Sequence, residues 1–237
     1  MVFARPLQSC RLRLTDGSWP FAADRADAIA AHWQDALALT PEMWDGRVLL
    51  SNSWTFQDGI LEGSLIDVAY SAYHAWKSWD FPDPSVANCF GSGLIRSSDG
   101  ALIYGVMAGT TSNAGRIYPV AGMLDQSDVA PDGTIDIFAS VGRELTEETG
   151  LTIAECRRGD RFMLTNGPLI SIAEVLTFDE DAERLAARIR ASIASEAEPE
   201  LEDVVILRQA ADLDRGRSFD FAHSIAAHLL DGVPLPG

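Results

Sequence analysis

Lysine is nearly absent from this chain. The 237 residues carry it once, at Lys77, so 17 of the 18 basic residues are arginines. Chemistry that needs a lysine, such as a Schiff base or a phosphate loop ending in Gly-Lys-Ser/Thr, has almost nowhere to sit. Cysteine is scarce as well. Cys10, Cys89 and Cys156 are odd in number and far apart, so they make neither a disulfide framework nor a zinc motif. Each reads as a small buried hydrophobe, and a reducing cytoplasm is the simplest setting. No apolar run approaches the roughly 20 residues of a membrane span. The start, MVFARPLQSCRLRL, has no apolar core of signal-peptide length. The expectation is a cytoplasmic protein with no membrane partner.

Positive charge is in short supply. Acidic residues outnumber basic ones 35 to 18, giving a net charge of −17. That field repels phosphate backbones, which argues against a nucleic-acid partner. An anionic substrate would need a local attractant, and a bound divalent cation is one. What is present is ordinary for a soluble globular chain: 47% hydrophobic and 22% charged residues exclude disorder.

The periodicity mixes strands and helices, the pattern of an α/β protein. SCRLRL alternates like a strand, and ADRADAIAAHWQDALAL has helical spacing before Pro41. RVLLSNSWTFQDGILEGSLIDVAY predicts a hairpin around Gln57-Asp58-Gly59. Tyr70 to Trp79 predicts a short helix. FPDP marks a boundary near residue 82, dividing an extension, 1–82, from a main domain, 83–237. Beyond it NCFGSGLIRSS and ALIYGVMAGT flank a second turn at Asp99-Gly100, and RIYPVAGML reads as one short strand. A helix is predicted from Asp136, its N-cap, to Thr149, with Gly150 at C′. LTIAEC, FMLT and LISIAEVLTF look strand-like. DEDAERLAARIRASIASEA reads as a helix, DVVILR as a strand and SFDFAHSIAAHLL as a closing helix.

The chemistry lies in Arg143-Glu144-Leu145-Thr146-Glu147-Glu148-Thr149-Gly150-Leu151. At about 100° per residue, Glu147 and Glu148 flank Glu144 within an arc of about 100°. Like charges so placed cost a few tenths of a kcal/mol per pair. A hard divalent cation reverses that sign, because it takes oxygen ligands and bridges carboxylates to phosphates. Acidic helix faces are common, but the fixed string of one Arg, three Glu and one Gly arises by chance on the order of 10⁻⁴.

RELTEETGL resembles the second half of the Nudix hydrolase signature, G-x5-E-x7-R-E-U-x-E-E-x-G-U with U aliphatic, at every constrained position. The first half departs: Ile135 stands where a glutamate is expected and Val129 where a glycine is. The family's strand-to-loop glycine is better matched by Gly122 in YPVAGML, and Asp132 or Asp136 would substitute only partly for the missing glutamate. The resemblance implies a Nudix-like α/β/α sandwich with a mixed sheet, preceded by a strand-rich N-terminal extension that serves substrate contact or a homodimer. It implies hydrolysis of a diphosphate bond in a nucleoside diphosphate linked to another moiety, such as an ADP-ribose-like molecule or a nucleotide sugar.

By the same resemblance Glu144, Glu147 and Glu148 hold Mg²⁺ or Mn²⁺, Arg143 orients a glutamate, and backbone at Gly122 lies beside the metal. A further acid from a later loop serves as ligand or base. Glu200 in EAEPELED is preferred, then Glu198, with Glu174 in ISIAEVLTF as a weaker choice able to face water. Some ADP-ribose-cleaving relatives carry a proline about fifteen residues beyond the signature, and Pro168 stands seventeen beyond Leu151, although a proline before a strand is also a common structural device. Trp44, Trp54, Trp76 and Trp79 are available to stack a base, although core packing is the commoner use. His223 and His228, five apart, miss the four-residue metal spacing. The degenerate first half leaves an alternative open, a nucleotide-binding regulator of the same fold with little or no catalysis.

Overall fold

The computed structural model describes residues 2–236, and it is a mixed α/β protein with two sheets. The chain divides into two units, each assembled from separate stretches. One comprises residues 1–8, 90–122 and 138–237; the other comprises 9–89 and 123–137.

The second unit is built from β2 (Ser9–Leu14), α1 (Pro20–Asp24), α2 (Ala26–Leu39), β3 (Arg47–Gln57), β4 (Ile60–Ala69) and α3 (Tyr70–Ser78). Asp58 and Gly59 both take positive φ, 51° and 77°, which is the backbone of a tight hairpin turn. Its sheet runs β3-β4-β2-β9, with β2 parallel to β4. The short strand β9 (Thr134–Ile135) pairs with Leu12 and Arg13 of β2. Trp19, Leu50, Ile66, Tyr73 and Trp76 form its core.

The first unit holds β1 (Val2–Pro6), most of β5 (Asn88–Arg96), β6 (Leu102–Met107), β7 (Ile117–Tyr118), most of β8 (Val120–Met123), most of α4 (Ile137–Thr149), β10 (Cys156–Asn166), β11 (Leu169–Phe178), α5 (Ala182–Ile193), β12 (Leu201–Leu207) and α6 (Asp220–Asp231). Its eight-stranded sheet has the order β1-β10-β11-β5-β6-β12, with β7 on β6 and β8 on β5. The interior strands β5 and β6 are buried along nearly their whole length. Asp181 caps α5, its side chain accepting from Arg184 N at 2.9 Å. On α4, Val141 and Leu145 are buried in the unit's core, each such burial stabilising by about 1.5–3 kcal/mol.

Several sequence expectations need correction. RIYPVAGML is two short strands rather than one, because Pro119 supplies no N–H to a ladder. LTIAE is not a strand: Ile153–Glu155 form a 3-10 turn closed by reciprocal Thr152 and Glu155 hydrogen bonds, and β10 begins only at Cys156. Two strands, β1 and β9, gave too short a pattern to be read. Of the cysteines, Cys89 is buried, whereas Cys10 and Cys156 are partly exposed. Trp76 is fully buried, while Trp44 and Trp54 are 81% and 42% exposed. Among the described residues no helix is long and apolar enough to cross a membrane.

Candidate active site

Helix α4 carries the glutamates, and its amphipathic pattern decides how each is presented. Leu145 and Val141 face the core, so Glu144 and Glu148 ride at the edge of the buried face and are only 9% and 4% exposed. Glu147 turns outward, with 58% of its side chain in water. Gly150 follows the helix at φ 69°.

The strand β8 and the residues before it pass directly over this face. Ala121 N donates to Glu148 Oε1 at 3.2 Å. A Cβ at Gly122 would overlap the Glu144 carboxylate, so only glycine lets the backbone pass so close. Arg143 Nη1 lies 2.7 Å from Glu144 Oε1 and 3.0 Å from Glu147 Oε2, tying two of the three carboxylates together. Glu148 Oε2 is buried and has no hydrogen-bond partner among the described residues. Such an oxygen is costly to leave unsatisfied.

The electrostatics follow from that geometry. Burial first, then repulsion from Glu147 and Glu200 against the pull of Arg143, raises the Glu144 carboxyl to about 7. Burial, and then the charges of Glu144 and Glu200, push Glu148 well above the ordinary carboxylate range, with the Ala121 N–H opposing. Glu200 stands just before β12, where its carbonyl accepts from Ala108 N at 2.8 Å. It is exposed overall, yet partial desolvation and the charges of Glu147 and Glu196 raise its pKa, against Arg143. The charge of Glu147 thus acts on Glu144, Glu148 and Glu200 alike. Glu198 is exposed in the same loop.

Among the described residues, no group of three or more His, Cys, Asp or Glu side chains is gathered as a preformed ion cage. Glu144 and Glu147 are instead paired with the Arg143 guanidinium. The residues nonetheless suit a hard divalent cation: the groups available are carboxylate oxygens, and the buried Glu148 Oε2 lacks a hydrogen-bond partner among the described residues.

Other expected residues fall elsewhere. Ile135 is buried in β9, paired with Leu12, so the position of the missing glutamate serves a sheet. Asp132 is engaged by Thr134 N and Oγ1 in its own turn. Glu174 does not face water. It is fully buried, and Arg158 and Arg161 hold its carboxylate. His223 is buried on α6, and His228 Nδ1 lies 2.9 Å from Val233 O. A cleft of about 480 Å³, lined by Ala108, Arg190, Ile193, Glu196, Pro199 and Leu201, borders the Glu200 turn.

No family model matches the chain, and no curated protein matches it. Solved structures do. A Nudix hydrolase from Nitrosomonas europaea is 14% identical over 51% of this chain and 72% of its own, with a TM-score of 0.33. The bifunctional NMN adenylyltransferase/ADP ribose pyrophosphatase of Francisella tularensis, in complex with AMP and a Mn ion, is 16% identical over 67% of this chain, with a TM-score of 0.43. The match spans 46% of that enzyme's length. The Nudix domain of Shewanella oneidensis NrtR, complexed with ADP ribose, is 10% identical over 55% of this chain and 80% of its own, with a TM-score of 0.36. At such scores the likenesses decide neither family nor reaction.

Proposed function

We propose that this protein is a divalent-metal-dependent hydrolase of the Nudix type, cleaving the diphosphate bond of a nucleoside diphosphate linked to another moiety. The observation that carries the reading is the RELTEETGL helix, with Glu144 and Glu148 buried side by side and Glu148 Oε2 unpartnered. A protein has little reason to keep two such carboxylates together unless a cation joins them. An ADP-ribose-like molecule or a nucleotide sugar is the substrate class we favour, and Mg²⁺ or Mn²⁺ the metal.

Glu144, Glu147 and Glu148 would hold the ion. When bound there, a divalent cation offsets charge on the diphosphate and makes water more acidic. The chain's own groups do the rest. The Ala121 N–H fixes the Glu148 carboxylate, and Gly122 leaves space for the Glu144 carboxylate. Arg143 orients Glu144 and Glu147. Glu200, its pKa raised above the ordinary carboxylate value by desolvation and the charges of Glu147 and Glu196, is suited to accept a proton from the attacking water. The cleft beside it offers room for the moiety beyond the diphosphate.

The test is a turnover screen with Mg²⁺ or Mn²⁺ against ADP-ribose, nucleotide sugars, dinucleotides, coenzyme A and nucleoside triphosphates, with Glu148→Gln alongside. Metal-dependent cleavage by the wild type alone is expected. Equal turnover in the variant would sink the assignment. Tight binding of a diphosphate ligand without metal-dependent cleavage would favour the regulator, which the apolar Ile135 at a signature position supports.

A further inference from the structure

A second cluster of charged side chains is built on β10 and β11, around Glu174. Residues three apart in an unbroken strand face opposite sides of the sheet. Arg158 and Arg161 do not, because β10 is bulged between them. Arg158 pairs with Leu176 and Arg161 with Glu174, so three steps on β10 match two on β11. The extra residue brings both guanidinium groups to the same carboxylate.

Glu174 is fully buried and serves as their anchor. Arg158 grips it through Nε and Nη2, the latter 2.7 Å from Oε2. Arg161 uses only Nε, 2.8 Å from Oε1. The Arg161 guanidinium also lies over the Phe138 ring, 3.8 Å from its centroid. Hydrogen bond and ring together fix the plane of the group. Its two terminal nitrogens make no hydrogen bond among the described residues, and 30% of the side chain is in water. Both guanidinium groups meet at this one carboxylate, in a protein of net charge −17.

One arginine would neutralise Glu174. A second, delivered by a bulge, stacked on a ring and left with an open fork, is a receptor. A planar fork with parallel N–H donors matches an oxyanion in bidentate fashion, and orienting it beforehand removes much of the entropic cost of binding. We propose that Arg161, aligned by Glu174 and Phe138 and reinforced by the charge of Arg158, is a binding site for a phosphate group. The phosphate comes either from free inorganic phosphate or from a phosphate carried by the substrate.

The probe is inorganic phosphate, titrated into full-length protein kept metal-free with EDTA, at constant ionic strength balanced with chloride. Binding is followed by calorimetry and by ³¹P line broadening. Saturable binding is expected in the wild type. Arg161→Gln should weaken it about tenfold or more, the value of one charged hydrogen bond. Arg161→Lys, which keeps the charge and loses the fork, and Phe138→Leu, which removes the ring that both guanidinium groups lie over, should each weaken it several-fold. The Arg158–Glu174 pair remains in all three variants, and urea unfolding checks that they fold. Phosphate acting as chloride does on the wild type, or binding Arg161→Gln as tightly as the wild type, overturns the proposal. Because the readout is metal-free, it stands or falls independently of the hydrolase reading. With a cleaved substrate in hand, competitive inhibition by phosphate that Arg161→Gln abolishes assigns the site to the substrate's own phosphate. Non-competitive inhibition abolished by the same variant assigns it to free phosphate.

Discussion

Glu148 and Glu174 belong to the same unit and are 4% and 0% exposed, yet their surroundings are opposite. Glu174 is the deeper of the two and has two guanidinium partners. Glu148 has one backbone N–H, a second oxygen with no hydrogen-bond partner among the described residues, and Glu144, Glu200 and Glu147 as like charges acting on it. The first pattern is a closed account of a buried ion, with desolvation offset by charge and hydrogen bonds. The second is open. Within one chain, then, burial alone does not separate structural carboxylates from candidate working ones. The sign and number of the neighbours do.

Removing each carboxylate's charge should therefore have opposite consequences. Glu148→Gln keeps the shape and the oxygen that accepts from Ala121 N, so metal-free protein is expected to gain stability at pH 7.5. Its turnover should fall by about a thousandfold or more, since a lost group at the centre of charge stabilisation costs at least this much. Melting curves and steady-state rates on the same preparation check both halves. A less stable variant with full activity would erase the contrast. Glu174→Ala should do the reverse. Stranding Arg158 and Arg161 beside a cavity costs about 3–5 kcal/mol, read from urea unfolding. A change below about 1 kcal/mol would mean that the triad is not a buried ion network at all.

The two sites also differ in how much of them the sequence discloses. The acidic face is local: three glutamates on one helix, spaced by the helical repeat and followed by Gly150, are legible from nine consecutive letters. The approach of Gly122 to Glu144 was legible only through the family resemblance, because it depends on how the preceding strand crosses the helix. The arginine pair was not legible. It needs the pairing of β10 with β11, and a bulge that reverses the expected facing of Arg161. The fold divides likewise. Strong periodicity gave α2, α5 and the β3–β4 hairpin. No periodicity marks residues 1–8 as joining the unit of β10, or 123–137 as joining that of β2. Ile135 illustrates the conflict. As a signature position it ought to be acidic, and as part of β9 it is apolar and buried.

A pH series sharpens the comparison further. Glu144 ionises near 4.5 in an unfolded chain and at about 7 in the folded one. A raised acid pKa favours the folded state fully below the unfolded value, and the benefit is lost as pH rises through the folded value. Metal-free stability should therefore fall by about 3 kcal/mol between pH 4.5 and 7.5 from this group alone. Glu148, shifted in the same direction, adds to the slope. Below that window the order reverses for Asp99, which Arg208 and Ser97 hold down at about 2, so its contribution is lost in stronger acid. Urea midpoints at pH 5, 6 and 7.5 test the upper limb. The Glu144→Gln variant should show a flatter slope, and Mg²⁺ should restore stability at pH 7.5 in the wild type. A slope unchanged by the substitution would place the pH dependence elsewhere in the chain.

The smallest effect is expected at Arg143, and it bears on the same distinction. Its guanidinium joins Glu144 to Glu147; the Glu147 pair, with 58% of that side chain in water, contributes about 0–1 kcal/mol, and the buried Glu144 carboxyl, already raised to about 7, takes up a proton when Arg143 is removed rather than standing as an unpaired charge. Arg143→Ala should therefore shift stability by less than about 1 kcal/mol at pH 7.5, against the several kcal/mol expected of Glu174→Ala. Its effect should appear in metal dependence. With the tether gone, Glu144 and Glu147 are free to turn toward a cation but are no longer held in place, so the metal concentration for half-maximal activity should move while the fold does not. A loss as large as that of Glu174→Ala would make Arg143 a structural counter-ion, and the acidic face of α4 would then resemble the arginine triad more than it contrasts with it.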